Sequence, residues 1–205
     1  PDMNTATLQK TVYTVCDEPT IQTVEGFLSA AECDALIRLA TPSLKPSTVV
    51  TDTGGSTGHA HRTSTGTYFQ RSQLPIIDRL EKRIAETWGH PVINGEGFQV
   101  LRYAEGAEYR PHYDFFDPRL PGTDQYTKSG GNRVATVLLY LNEVEIGGET
   151  VFPDLGLEIK PVKGMALYFA YPYPVADSLT LHGGAPVVKG EKYVVTKWLR
   201  ERAYV

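Results

Sequence analysis

Arg133-Val134-Ala135-Thr136-Val137-Leu138-Leu139-Tyr140-Leu141 is the stretch on which the fold turns. It is almost wholly apolar from Val134 onward and far shorter than the roughly 20 residues of a membrane span. Its length and β-branched content are those of a buried strand. Five segments of similar composition lie around it, at residues 98–103, 149–152, 157–161, 166–170 and 192–199, and Gly and Pro separate them. Short strands punctuated in this way predict an antiparallel sandwich or jelly roll.

Upstream the pattern changes period. Residues 26–40 read as a helix, with Ser29 and Glu32 at capping-box spacing, Leu36, Ile37, Leu39 and Ala40 as an apolar stripe, and Pro42 as the stop. A second helix is expected over 74–88. Pro75 suits its first turn, Ile76, Ile77, Leu80, Ile84 and Trp88 recur at helical spacing, and Gly89 ends it. Between them, residues 52–66 are rich in Gly, Ser and Thr and read as a mobile loop. No linker or repeat divides the chain. The expectation is one domain over residues 1–205, mainly β in an α+β arrangement, with helical support and a lid loop over about 1–95 and the β core over about 96–205.

Composition narrows the function classes. The 205 residues are 41% hydrophobic and 21% charged, which excludes a disordered chain. The net charge of −4 and a pI near 5.8 argue against a nucleic-acid partner, which calls for surplus Lys and Arg. Cys16 and Cys33 are too few for a disulfide framework or a thiolate metal site. The chain shows no basic-apolar-small leader, so a cytoplasmic setting without a membrane partner is expected. It begins at Pro1 rather than Met, which reads as a trimmed N-terminus.

Among five histidines, His112 stands out because Asp114 follows two residues later. On an extended strand, positions i and i+2 share a face, so both side chains can grip one ion. The bland alternative is a surface His–Asp pair. His182, far downstream in a segment that reads as strand, would complete two imidazoles and one carboxylate. That set leaves coordination positions open, as in non-heme Fe(II) oxygenases. A structural zinc site would be closed by four ligands, commonly with Cys. Lys192 follows His182 by ten residues, across a Lys189-Gly190-Glu191 turn expected to bring the two onto neighbouring strands. By period two, Lys192, Val194, Thr196 and Trp198 share one face. A lysine on an inward face needs an anionic partner, and a dicarboxylate that also grips the metal would serve. His59 and His61 are read as solvent-exposed loop residues, and His90 as a helix-end residue.

These motifs resemble the prolyl 4-hydroxylase branch of the 2-oxoglutarate- and Fe(II)-dependent dioxygenases, in a single-domain form of bacterial or viral type. The resemblance covers most of the chain. Glu25-Gly26-Phe27-Leu28-Ser29 through Ala40 is similar to the family's N-terminal helix, and Arg62-Thr63-Ser64-Thr65-Gly66-Thr67-Tyr68-Phe69 to its substrate-covering loop. Pro111-His112-Tyr113-Asp114, Gly147-Gly148-Glu149-Thr150 and Leu181-His182-Gly183-Gly184 through Trp198 carry the rest. The resemblance implies a double-stranded β-helix with His112, Asp114 and His182 as iron ligands. It implies Lys192, Tyr103 and Thr150 on the far carboxylate of 2-oxoglutarate, and Trp198 beside the co-substrate. Tyr109 and Arg133 match positions that contact the peptide, and Tyr68 joins them from the covering loop. Fe(II), 2-oxoglutarate and O2 would be the cofactors, with ascorbate as reductant. The reaction implied is procollagen-proline 4-dioxygenase-like: hydroxylation of a prolyl residue in a peptide or protein, with 2-oxoglutarate decarboxylated to succinate and CO2.

Other functions remain open on the residues alone. The same chemistry would serve a free amino acid or another side chain. A zinc-dependent hydrolase or metal-binding module could use the same three ligands, with Glu149 as the nearest general base in sequence. An inactive peptide-binding relative is the third alternative, and the intact triad with Lys192 counts against it.

Overall fold

A computed structural model describes residues 10–50, 56–58, 63–171 and 173–205. His59, His61, Arg62 and much of the expected lid loop lie outside the described residues. The elements run β1 (Tyr13–Cys16), β2 (Ile21–Val24), α1 (Ala30–Ala40), β3 (Lys45–Pro46), β4 (Thr48–Val50), β5 (Ser56–Gly58), β6 (Thr65–Phe69) and α2 (Pro75–Trp88). They continue with β7 (Gly95–Tyr103), β8 (Tyr109–His112), α3 (Asp124–Thr127), β9 (Arg133–Tyr140), β10 (Ile146–Gly147) and β11 (Thr150–Phe152). The last are β12 (Leu157–Ile159), β13 (Ala166–Ala170), β14 (His182–Gly184), β15 (Val187–Lys189) and β16 (Lys192–Arg200).

Eight strands form one antiparallel sheet in the order β1-β2-β13-β9-β16-β7-β6-β3, and a second sheet runs β12-β11-β14-β8. The two form a jelly roll, as expected. β16 is central to it, between β7 and β9, with Thr196 opposite both Gln99 and Leu138. Strand parity then sorts its side chains. Tyr193, Val195 and Leu199 pack with Phe98, Val100, Val137 and Leu139 in a core that α1 and α2 cover through Leu36, Ile77, Leu80 and Ile84. Lys192, Val194, Thr196 and Trp198 face the other way, into a pocket that His112, Asp114 and His182 also line. Both faces of β16 are therefore covered, and even its polar residues Lys192, Thr196, Lys197 and Arg200 are buried.

The helices begin and end as their local chemistry requires. Ser29 Oγ accepts from the Glu32 N–H at 3.1 Å, and a Glu32 carboxylate oxygen accepts from the Ser29 N–H at 2.9 Å. That cap starts α1 at Ala30 rather than at residue 26, where Gly26 holds φ +62°. Glu32 also pairs with Arg83 at 2.9 Å and so ties α1 to α2. Pro75 opens α2, and Gly89 closes it at φ +74°.

Two expectations need correction. The segment before residue 95 supplies β1, β2, β3 and β6 to the sheet that carries Lys192, beside its two helices. β2 escaped notice because Ile21 and Val24 are buried while Gln22 and Thr23 are half-buried, a pattern with neither period two nor period 3.6. Nor are His182 and Lys192 on neighbouring strands. After His182 the chain forms β15 against β10, then crosses at Gly190 into the larger sheet, so the two residues approach the pocket from opposite sheets. Among the described residues, no helix is long and apolar enough to cross a membrane.

Candidate metal centre

β8 and β14 pair with His112 opposite His182. Gly183 allows the close approach, since a Cβ there would lie 2.8 Å from the Tyr109 carbonyl oxygen. Asp114 follows β8 by two residues, and one ligand atom from each of His112, Asp114 and His182 falls within 4.8 Å of the others. Each imidazole Nε2 stands 3.3 Å from an Asp114 carboxylate oxygen. The opposite ring nitrogens are fixed by backbone: His112 Nδ1 lies 2.8 Å from the Arg110 carbonyl and His182 Nδ1 2.9 Å from the Thr180 carbonyl. A carbonyl only accepts, so each Nδ1 carries a hydrogen and each Nε2 is left to face the carboxylate. This is the orientation that metal-binding histidines need.

Asp114 is held in turn. Thr136 Oγ1 donates to Asp114 Oδ2 at 2.7 Å, and the Tyr171 hydroxyl lies 3.1 Å from Thr136 Oγ1. Burial keeps Tyr171 protonated, well above the usual tyrosine range, with Asp114 adding to the effect. Thr136 has one hydrogen and gives it to the carboxylate, so Tyr171 donates to Thr136. Burial opposes charge on Asp114, yet His182 and His112 hold its carboxyl well below the ordinary range. Burial pushes His112 down, and His182 pushes it further. His182 rises against its own burial because Asp114 stands beside it. The cluster favours positive charge at its centre, where its donor set fits an Fe(II)-type cation.

On the opposite sheet, Lys192 is 4% exposed and forms no ion pair within 4 Å among the described residues. Its Nζ donates to the Gly148 carbonyl at 2.7 Å. Burial pulls its pKa from 10.5 to about 8, against a distant pull from Glu149. A buried ammonium that donates to one carbonyl and has no paired carboxylate among the described residues suits an anionic guest. Tyr103 lies opposite Lys192 in register, its ring 5.7 Å from Nζ. Thr150 lines the same pocket, and its hydroxyl lies 2.6 Å from that of Tyr140.

One pocket therefore brings together His112, Asp114, His182, Lys192, Tyr103, Thr150, Tyr109 and Trp198. Tyr109 stacks on His112 with ring centroids 3.6 Å apart. Arg133 and Tyr68 do not line it. Arg133 is no surface ion pair: its guanidinium is bidentate on Glu96 at 2.8 and 3.1 Å and donates to the Asp114 carbonyl at 3.2 Å. It also lies 3.8 Å from the Trp198 ring centroid. Tyr68 lines an adjoining groove, which shares Gln99 with the pocket, and its hydroxyl accepts from the Gly97 N–H at 2.6 Å. Sequence reasoning passed over Gln99, Leu101 and Leu138 in the wall, and Thr136, Tyr140, Tyr171 and Glu96 behind it. For Gln99 and Leu101 a signal was present, because they share strand parity with Tyr103.

Comparison with known proteins agrees with this geometry. Residues 98–200 match the family described as the 2OG-Fe(II) oxygenase superfamily. Probable prolyl 4-hydroxylase 10 of Arabidopsis thaliana is 44% identical over 210 residues, covering 91% of this chain and 71% of that protein. Prolyl 4-hydroxylase 5 of Arabidopsis thaliana is 43% identical over 213 residues, with 93% and 71% covered. Among solved structures, the viral collagen prolyl hydroxylase of Paramecium Bursaria Chlorella virus-1, in its 2OG complex, superposes with a TM-score of 0.71. It is 34% identical, and 91% of this chain and 98% of that one are covered.

Proposed function

Since the chain belongs to the prolyl 4-hydroxylase branch of the 2OG-Fe(II) oxygenase superfamily, we propose that it hydroxylates a prolyl residue in a peptide or protein, using Fe(II), O2 and 2-oxoglutarate. The observation that carries this reading is a three-ligand cluster and an uncompensated buried lysine in one pocket. When bound, iron and 2-oxoglutarate supply, with O2, the oxidising power that converts an unactivated C–H into C–OH.

The chain's own residues bind and orient. His112, Asp114 and His182 hold the cation, with the Arg110 and Thr180 carbonyls fixing the ring tautomers and Thr136 steadying the carboxylate. Lys192 takes the far carboxylate of 2-oxoglutarate, with the Tyr103 and Thr150 hydroxyls beside it, and Trp198 lines the wall. Tyr109, Arg133 and, along the adjoining groove, Tyr68 contact the peptide. Ascorbate serves as the external reductant. Residues 1–205 act as one catalytic domain, since strands from both halves of the chain build the sheet that carries Lys192. A zinc hydrolase is the weaker reading: among the described residues that line the pocket, Asp114 is the only carboxylate, and it belongs to the ligand cluster rather than standing apart as a general base.

The experiment is succinate release from 2-oxoglutarate with Fe(II) and ascorbate, with and without proline-rich peptides. Peptide-stimulated succinate supports the reading. Absence of succinate from protein shown to hold iron refutes it.

A further inference from the structure

Resting on that reading, we propose that Gln99 and Trp198 form a clamp for the hydroxyl group of the hydroxylated residue. The indole N–H donates to the hydroxyl oxygen, and the Gln99 amide oxygen accepts the hydroxyl hydrogen. Among the described residues, two buried side-chain polar atoms lack a hydrogen-bond partner: Gln99 Oε1 and Trp198 Nε1. Such atoms are rare in native proteins and call for an explanation. Both residues line the pocket of His112, Asp114 and His182.

Their placement is set by the sheet. Gln99 on β7 lies opposite Thr196 on β16, and Trp198 follows Thr196 by two residues on the same face. Lys192 is four residues before Thr196 on that strand, so both groups sit toward the end of the pocket away from the lysine. A co-substrate anchored at Lys192 leaves that end to the second substrate.

The two atoms differ in kind, and that difference selects the ligand. An indole N–H only donates, and an amide oxygen only accepts. 2-Oxoglutarate at neutral pH is a dianion with no N–H or O–H, so it cannot satisfy Gln99. The ring of an unmodified proline residue offers neither a donor nor an acceptor. A hydroxyl offers both in one group. The wall is thus complementary to the product group rather than to the C–H it replaces. The hydroxylated residue is held after turnover, and its release is slowed.

The test compares three peptides that differ only in proline, 4-hydroxyproline or 4-fluoroproline. Their binding to Mn(II)-loaded wild-type enzyme is measured by calorimetry without oxygen. The hydroxyproline peptide is expected to bind about tenfold tighter than the proline peptide, as two hydrogen bonds made in place of none allow. Fluorine cannot donate, so the fluoroproline peptide should show no such gain. Gln99→Met and Trp198→Phe should each cut the preference for the hydroxyproline peptide over the proline peptide about fivefold. Equal wild-type affinities would overturn the proposal, and so would Gln99→Met weakening all three peptides alike, which would mark a main-chain contact. Mass spectrometry of the same proline peptide after turnover separates the two failures. Oxidation without the hydroxyproline preference removes the clamp alone, whereas neither oxidation nor binding removes the hydroxylase reading as well.

Discussion

Lys192→Met should weaken 2-oxoglutarate binding sharply while making the ligand-free protein more stable. Burial holds the Lys192 pKa at about 8 against 10.5 in the open chain. At about 1.4 kcal/mol per unit, keeping the ammonium charged at pH 7 costs the free protein about 3 kcal/mol. Methionine is similar in length and carries no charge, so it removes that penalty. It forfeits the bond to the Gly148 carbonyl, worth about 1.5 kcal/mol. The variant should therefore gain about 1–2 kcal/mol in urea unfolding at pH 7. The sign with pH follows from the protons bound. The folded pKa lies below the unfolded one, so the unfolded chain holds more protons between about pH 8 and 10.5. Wild-type stability should rise with pH across that window, and the variant should lose the rise. Binding moves the other way. A charge-assisted bond to a carboxylate is worth roughly 2–3 kcal/mol, so 2-oxoglutarate affinity should drop about 30- to 100-fold by anaerobic calorimetry with Mn(II). In wild type it should fall as pH passes about 8. Unchanged affinity, or a variant clearly less stable than wild type, would refute the assignment of Lys192 to the co-substrate.

Three further outcomes are expected. Tyr171→Phe removes the donor behind Thr136 but keeps the ring contacts to Phe115 and Phe169; Mn(II) affinity should fall about tenfold with the melting temperature unchanged, and a change in melting temperature alone would make the hydroxyl structural. Gly183→Ala puts a methyl 2.8 Å from the Tyr109 carbonyl oxygen, so β14 must move off β8 and metal binding should be lost while the far-ultraviolet circular dichroism is retained. Glu32→Ala should cost about 1–2 kcal/mol of stability without altering succinate release, since it removes the carboxylate half of the α1 capping box and the Arg83 pair while the Ser29 hydroxyl cap stays. Arg83 holds the Glu32 carboxyl below its ordinary value of 4.5, so that stability is present above about pH 4.5 and is lost as pH falls through the lower folded value.

Much of the site was legible because a strand converts sequence parity into shared direction. His112 and Asp114 two residues apart, and Lys192, Val194, Thr196 and Trp198 at even spacing, could be assigned to one face with no knowledge of tertiary structure. The jelly roll was legible for a related reason, since β9 and β13 are buried on both sides and read as apolar runs. What parity cannot give is the partner across the sandwich. His182 and Lys192 are ten residues apart and were expected on adjacent strands, but β15 intervenes and sends them to different sheets. Arg133 could be read as a surface ion pair because its partner, Glu96, is 37 residues away, and it is β16, lying between β7 and β9, that brings the two together. The Thr136–Tyr171 relay was hidden likewise, since each looks like an ordinary strand hydroxyl until Asp114 is placed beside it.

The most direct measurement is mass spectrometry of a proline-rich peptide panel incubated with enzyme, Fe(II), ascorbate, 2-oxoglutarate and 18O-labelled oxygen gas. The expected result is one labelled oxygen on a proline and one in succinate, both dependent on 2-oxoglutarate and both lost in Asp114→Ala. Iron-loaded enzyme that leaves every peptide unlabelled and forms no succinate would contradict the central claim.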